Sequence, residues 1–180
     1  MTVDAWSPPT LRTDRVLVRP FTTADFDAFR AYAEAQPADE YGSWLGGAGP
    51  ADTARYVVDT IARYGRPARC DLGVVVEGRL VGGVAFRQVW ISPMTMEIGW
   101  VLHPSLAGRG IAGDAVGALL AWLFEHFPEL RRAEARVRES DQGGVRILEK
   151  LGFAREGVIR GEPGAQNALL YGLLRGEWKK

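Results

Sequence analysis

The chain has 180 residues, 47% of them hydrophobic, which matches one ordinary domain with enough apolar surface to bury a core. Its 22 basic and 22 acidic residues cancel, so no overall field draws it to nucleic acid or to an anionic membrane, and any anionic ligand has to be held locally. The lone cysteine, Cys70, rules out a disulfide framework; with no N-terminal apolar run resembling a signal peptide or a membrane span, the cytoplasm is the expected address.

Arg15 to Pro20 alternates as a strand, and Thr22 or Thr23 then caps a helix whose apolar residues Phe26, Phe29 and Ala33 keep helical spacing. Gly42 to Pro50 reads as a loop carrying Tyr41 and Trp44 at its start. A second helix follows, with Ala54, Val57, Val58 and Ile61 as its apolar stripe. From Asp71 the period becomes strand-like: Leu72 to Val76, a Glu77-Gly78 turn, Leu80 to Ile91, then Met94 to His103, an antiparallel meander. Ala112, Ala115, Val116, Leu119, Leu120, Leu123 and Phe127 trace a long helix. A strand at Ala133 to Val137, a helix from Gly143 to Leu151 ending at Gly152, and strands at Ala154 to Ile159 and Ala168 to Leu174 complete the order βααβββαβαββ. The expected fold is a single mixed α/β domain over residues 1–180.

Between the third meander strand and the long helix lies His103-Pro104-Ser105-Leu106-Ala107-Gly108-Arg109-Gly110-Ile111-Ala112-Gly113. The first N–H groups of a helix have no intrahelical acceptor and sit at the positive end of its dipole, so they can cradle a phosphate. Glycines let the backbone come close, and Arg109 adds a mobile cation. Gly108, Gly110 and Gly113 also match the dinucleotide fingerprint, but that motif opens a parallel βαβ unit, whereas here an antiparallel meander precedes the glycines and only 67 residues follow. A dinucleotide site and a purely structural turn stay as the alternatives.

Two further blocks are more specific: Glu97-Ile98-Gly99-Trp100-Val101-Leu102-His103-Pro104 running into the glycines, and Arg146-Ile147-Leu148-Glu149-Lys150-Leu151-Gly152-Phe153. With the opening Leu11 to Pro20 and the closing Tyr171 to Trp178, they make the chain resemble the GNAT superfamily of N-acetyltransferases, in particular its branch of ribosomal-protein alanine and serine N-acetyltransferases. The resemblance implies a mostly antiparallel central sheet with helices on both faces. It also implies a splayed strand pair, one strand ending near Val101 and Leu102 and the other near Val137, with the pantetheine arm of acetyl-CoA in the gap. Trp100, Val101 and Leu102 would bind that arm through their backbone, the segment Arg109 to Gly113 would take the pyrophosphate, and Asp141 and Arg146 would border the cofactor. The implied partners are an acyl-CoA and an amine acceptor, with a homodimer left open.

An amine attacks a thioester only when neutral, so a base matters most for acceptors of high pKa. Glu97, on the strand resembling the acyl-CoA strand, is the candidate base, with a salt-bridged strand residue as its alternative. His103 before Pro104 reads as turn-forming. Tyr171 is a candidate donor to the departing sulfur, or a packing residue of the last strand. Tyr41, Trp44 and Arg160 are candidates for the acceptor end, because specificity is usually carried by loops. Two isolated histidines and one cysteine form no metal cluster, and Cys70 reads as a bystander thiol. Three positions depart from the family pattern: Asp141 in place of the usual Asn, Gly144 in place of a frequent Ser, and Ala107 where a larger residue is common. These departures leave room for another acyl group, or for an acyl-CoA-binding module with weakened catalysis.

Overall fold

The computed structural model describes residues 6–35, 50–162 and 166–179. In chain order these form β1 (Leu11–Arg12), β2 (Leu17–Pro20), α1 (Phe26–Glu34), α2 (Pro50–Arg63), β3 (Arg69–Val76), β4 (Arg79–Trp90), β5 (Met94–Leu102), α3 (Ile111–His126), β6 (Leu130–Arg138), α4 (Gln142–Lys150), β7 (Ala154–Glu162) and β8 (Gln166–Leu174). The strands make one sheet in the order β1-β2-β3-β4-β5-β6-β8-β7. Every neighbouring pair is antiparallel except β5 and β6, which are parallel because α3 carries the chain back across the sheet between them. The architecture is a mixed α/β fold with helices on both faces of a mostly antiparallel sheet.

Alternation along the strands sorts side chains between two cores. On one face, Leu72, Phe86, Met96 and Ile98 pack with Leu119, Leu120 and Leu123 of α3 and Leu148 of α4, all within 2% of complete burial. On the other, Phe21, Phe29, Tyr32 and Val57 form a smaller cluster beneath α1 and α2, with Val101 against it. The Glu77-Gly78 turn joins β3 to β4 with both residues at positive φ, +49° and +77°, the twist a tight hairpin needs.

Two expectations are corrected. The buried stripe of α2 is Thr53, Val57 and Thr60, while Ala54 and Val58 are exposed; the two threonines replace apolar residues in the buried row and rotate the apparent stripe. The strand expected from Arg15 starts at Leu17 and is preceded by the short β1 paired to it, because Thr13 ties down a turn between the two: its hydroxyl accepts the N–H groups of Arg15 and Val16.

Candidate active site

The parallel pairing of β5 and β6 stops at Ile98 opposite Ala135. Each strand nevertheless continues on its outer side, β5 paired to β4 as far as Leu102 opposite Gly82, and β6 paired to β8 as far as Arg138 opposite Ala168. The sheet therefore opens a wedge between Gly99–Leu102 and Arg136–Arg138. The edge of β5 that faces away from β4 lies past the last β5–β6 pair from Gly99 onward, which is the condition for an extended ligand with amides of its own to lie in the gap as a substitute strand. Trp100 and Leu102 lean on the α3 core, and Val101 leans on the α1–α2 core, so both sides of β5 are anchored at this point.

Directly after β5 the chain makes a short helical turn at Pro104–Leu106, capped by His103, whose Nδ1 accepts the N–H of Ser105 and lies 2.8 Å from its hydroxyl. His103 is thus engaged in the turn, as its place before Pro104 indicates. Gly110 then caps α3 in the left-handed region, φ +78°, where a side chain is strained. The first intrahelical bond is that of the Asp114 N–H to the Gly110 carbonyl, 3.1 Å, which leaves the N–H groups of Ile111, Ala112 and Gly113 ahead of it as the open helix end. The Arg109 N–H is not part of that set, since it already bonds the Leu106 carbonyl at 3.3 Å. The exposed Arg109 side chain and the Gly108 backbone flank the turn.

Glu97 stands one residue before the last β5–β6 pair, on the face opposite Met96 and Ile98. Its side chain is only 7% exposed, and Nη2 of Arg87 donates to both carboxylate oxygens at 2.9 and 3.0 Å, while Arg136 approaches at 3.5 Å. Arg87 is its register partner on β4 and Arg136 lies just past the last β5–β6 pair, so this ion pair crosses the apex of the wedge. Both oxygens of this carboxylate are thus engaged by guanidinium groups, and any role in proton transfer has to be shared with the ion pair. Neither arginine stands out in the sequence. Arg87 was within reach, because hairpin alternation places it opposite Glu97; Arg136 was not, since no turn fixes a parallel register.

The remaining candidates lie elsewhere. Tyr171 is 2% exposed beneath α4, with its hydroxyl donating to Glu149 at 3.3 Å; burial, and then Glu149, push its pKa up. Asp141 caps α4 by accepting the Gly144 N–H at 2.8 Å, so its carboxylate is turned onto its own helix, and Arg146 is exposed on that helix. Arg160 is exposed on the outermost strand, level with the open end of the wedge but separated from it by β8 and β6. Tyr41 and Trp44 lie outside the described residues. Cys70 is buried, and burial followed by neighbouring Asp71 pushes its thiol up to about 12, the environment of an inert side chain. Among the described residues no group of three or more His, Cys, Asp or Glu side chains could hold a metal ion, and no helix is long and apolar enough to cross a membrane.

Comparison with known proteins gives a consistent picture. Residues 15–154 match the model of the acetyltransferase (GNAT) domain. A probable N-acetyltransferase of Bacillus subtilis, YjcK, is 36% identical over 85 residues, 47% of this chain and 46% of that protein, so the match spans about half the relative's length. The structure of an acetyltransferase of the GNAT family from Bacillus anthracis superposes with a TM-score of 0.80 at 25% identity, covering 94% of this chain and all of that one. The ribosomal L7/L12 alpha-N-protein acetyltransferase RimL, in complex with coenzyme A, superposes with the same score at 16% identity over 92% of this chain and 98% of its own, and so shares the fold. With a family match over most of its length and a sheet that parts next to a glycine-capped helix, the chain belongs to the GNAT family of acetyltransferases.

Proposed function

We propose that the protein transfers an acetyl group from acetyl-CoA to a primary amine of low pKa, with an α-amine as the preferred acceptor, by direct attack within a ternary complex. The observation that carries this reading is the parting of β5 from β6 after Ile98, immediately upstream of the open N-terminus of α3. The pantetheine arm fits the wedge along the backbone of Trp100, Val101 and Leu102. The pyrophosphate fits the N–H groups of Ile111 to Gly113, with Arg109 beside them. The amine nitrogen attacks the thioester carbonyl carbon, the C–S bond breaks as the tetrahedral intermediate collapses, and the thiolate takes up a proton; with a thiol pKa of about 8.5 it leaves tolerably without a dedicated acid.

The acceptor preference follows from the pKa of the acceptor itself. Glu97, held by Arg87 and Arg136 at the apex of the wedge, takes up through water the proton that the attacking amine releases. At pH 7 about a tenth of an α-amine of pKa about 7.8 is already neutral, against about one part in two thousand for a lysine amine of pKa about 10.4. A panel of amines assayed by release of free thiol from acetyl-CoA tests the reading: turnover with α-amines above that with lysine-type amines is expected. No thiol release with any amine, despite binding of coenzyme A, would leave a binding module in its place.

A further inference from the structure

The open end of α3 is gripped by a residue from the far end of the chain. Arg15 stands in the turn before β2, where the Thr13 hydroxyl holds the Arg15 and Val16 N–H groups and buried Val16 anchors the approach to the strand. From there its guanidinium reaches across to α3. Nε donates to Oδ2 of Asp114 at 2.7 Å, Nη1 donates to the Arg109 carbonyl at 2.8 Å, and Nη2 lies 3.0 Å from where a Cβ on Gly110 would be. These contacts have two consequences. The Arg109 carbonyl is turned toward Arg15, so the peptide group between Arg109 and Gly110 is fixed in orientation. Asp114 is neutralised as well; an acid in the first turn of a helix suits the helix dipole but repels a phosphate bound at the same end.

We infer that Arg15 is a positioning residue for the donor's pyrophosphate, holding the Arg109–Gly110 turn in its ligand-ready shape and cancelling the charge of Asp114. The inference rests on residues 110–113 being the donor's phosphate site. The ion pair itself is half exposed and adds little to stability, so its loss is felt in binding more than in folding.

The test compares wild type, Arg15→Gln and Asp114→Asn in titrations with coenzyme A, and in thermal shift with pantetheine, which carries the same arm without phosphates. Arg15→Gln is expected to weaken coenzyme A about tenfold, the scale of one charge-assisted contact, and to leave the pantetheine shift unchanged. Asp114→Asn, which keeps an acceptor for Arg15 but removes the repelling charge, is expected to tighten coenzyme A at low salt. Unchanged coenzyme A affinity in Arg15→Gln overturns the inference, as does an equal loss for pantetheine, because Arg15 would then act on the fold at large. Weaker binding in Asp114→Asn also overturns it, and this variant decides the matter if Arg15→Gln fails to fold. Failure of the wild type itself to bind coenzyme A would instead refute the phosphate site.

Discussion

Gly110 and Gly144 both lack a side chain, for different physical reasons. At Gly110 the backbone is left-handed and the space beside it is filled by the Arg15 guanidinium, so a β-branched residue is strained and also pushes on the turn. Gly110→Val is therefore expected to weaken coenzyme A at least tenfold by calorimetry while far-UV circular dichroism stays native. At Gly144 the backbone is ordinary, but a Cβ would come within 2.5 Å of Asp141 Oδ2 and 3.0 Å of Val137 Cγ1. Glycine is what lets Asp141 fold over its own helix end. Asp141→Ala should cost about 1 kcal/mol of stability in urea unfolding, the usual worth of an N-cap. Gly144→Ser should displace the same cap, so adding a hydroxyl there does not raise turnover while Asp141 stays in place. At Glu97 the test is a change of substrate dependence: Glu97→Gln is expected to lower kcat/KM for lysine-type amines more than for α-amines. Equal losses for both amines would mean that Glu97 only ties β5 to β6 through Arg136.

Among the elements, the entry to α1 shows how a local motif and a tertiary contact reinforce each other. The Thr22 N–H bonds Oδ2 of Asp25 at 2.7 Å, and Arg19 at the end of β2 grips both oxygens of the same carboxylate at 2.7 and 2.8 Å. Burial opposes ionisation of Asp25, but the hydrogen bonds from Arg19 and Thr22 outweigh it and hold its pKa below the usual carboxylate range. A carboxylate with a depressed folded pKa contributes stability that is present above its unfolded value of about 3.9 and is lost as pH falls through that value toward the folded one. Asp25→Asn is accordingly expected to cost about 2 kcal/mol at pH 7, the scale of hydrogen bonds to a charged group, with the difference shrinking below about pH 4. Urea midpoints at pH 7 and pH 3 check this; a loss that is the same at both would assign the effect to packing instead.

For the whole molecule, the sheet lies between the two cores, and the wedge lies where the sheet itself is interrupted. A donor that fills the wedge replaces missing strand contacts and binds the open end of α3, so it should stabilise the native state as a unit. At a hundredfold excess over Kd, linkage gives about 2.7 kcal/mol, which for a chain of this size raises Tm by about 5–10 °C. Acetyl-CoA is expected to give this shift in a thermal melt and a phosphate-free analogue to give less; equal protection by both would remove the phosphate turn from the site.

What could be read from the sequence was what local chemistry decides. The apolar run of α3, the alternation of β3 to β5 and the glycine-rich helix start are each set within a few residues, and the blocks at Glu97–Pro104 and Arg146–Phe153 were specific enough to point to the family. Local pattern misled where burial was polar, as with Thr53 and Thr60, which a hydrophobic stripe cannot register. Tertiary structure alone decided the rest. Arg15 and Asp114 meet across 99 positions of sequence, and Arg136 reaches Glu97 only because the α3 crossover lays β6 parallel to β5. The place where those two strands part is likewise set by packing on both faces of the sheet, since a parallel pair has no connecting turn to record its register in the sequence.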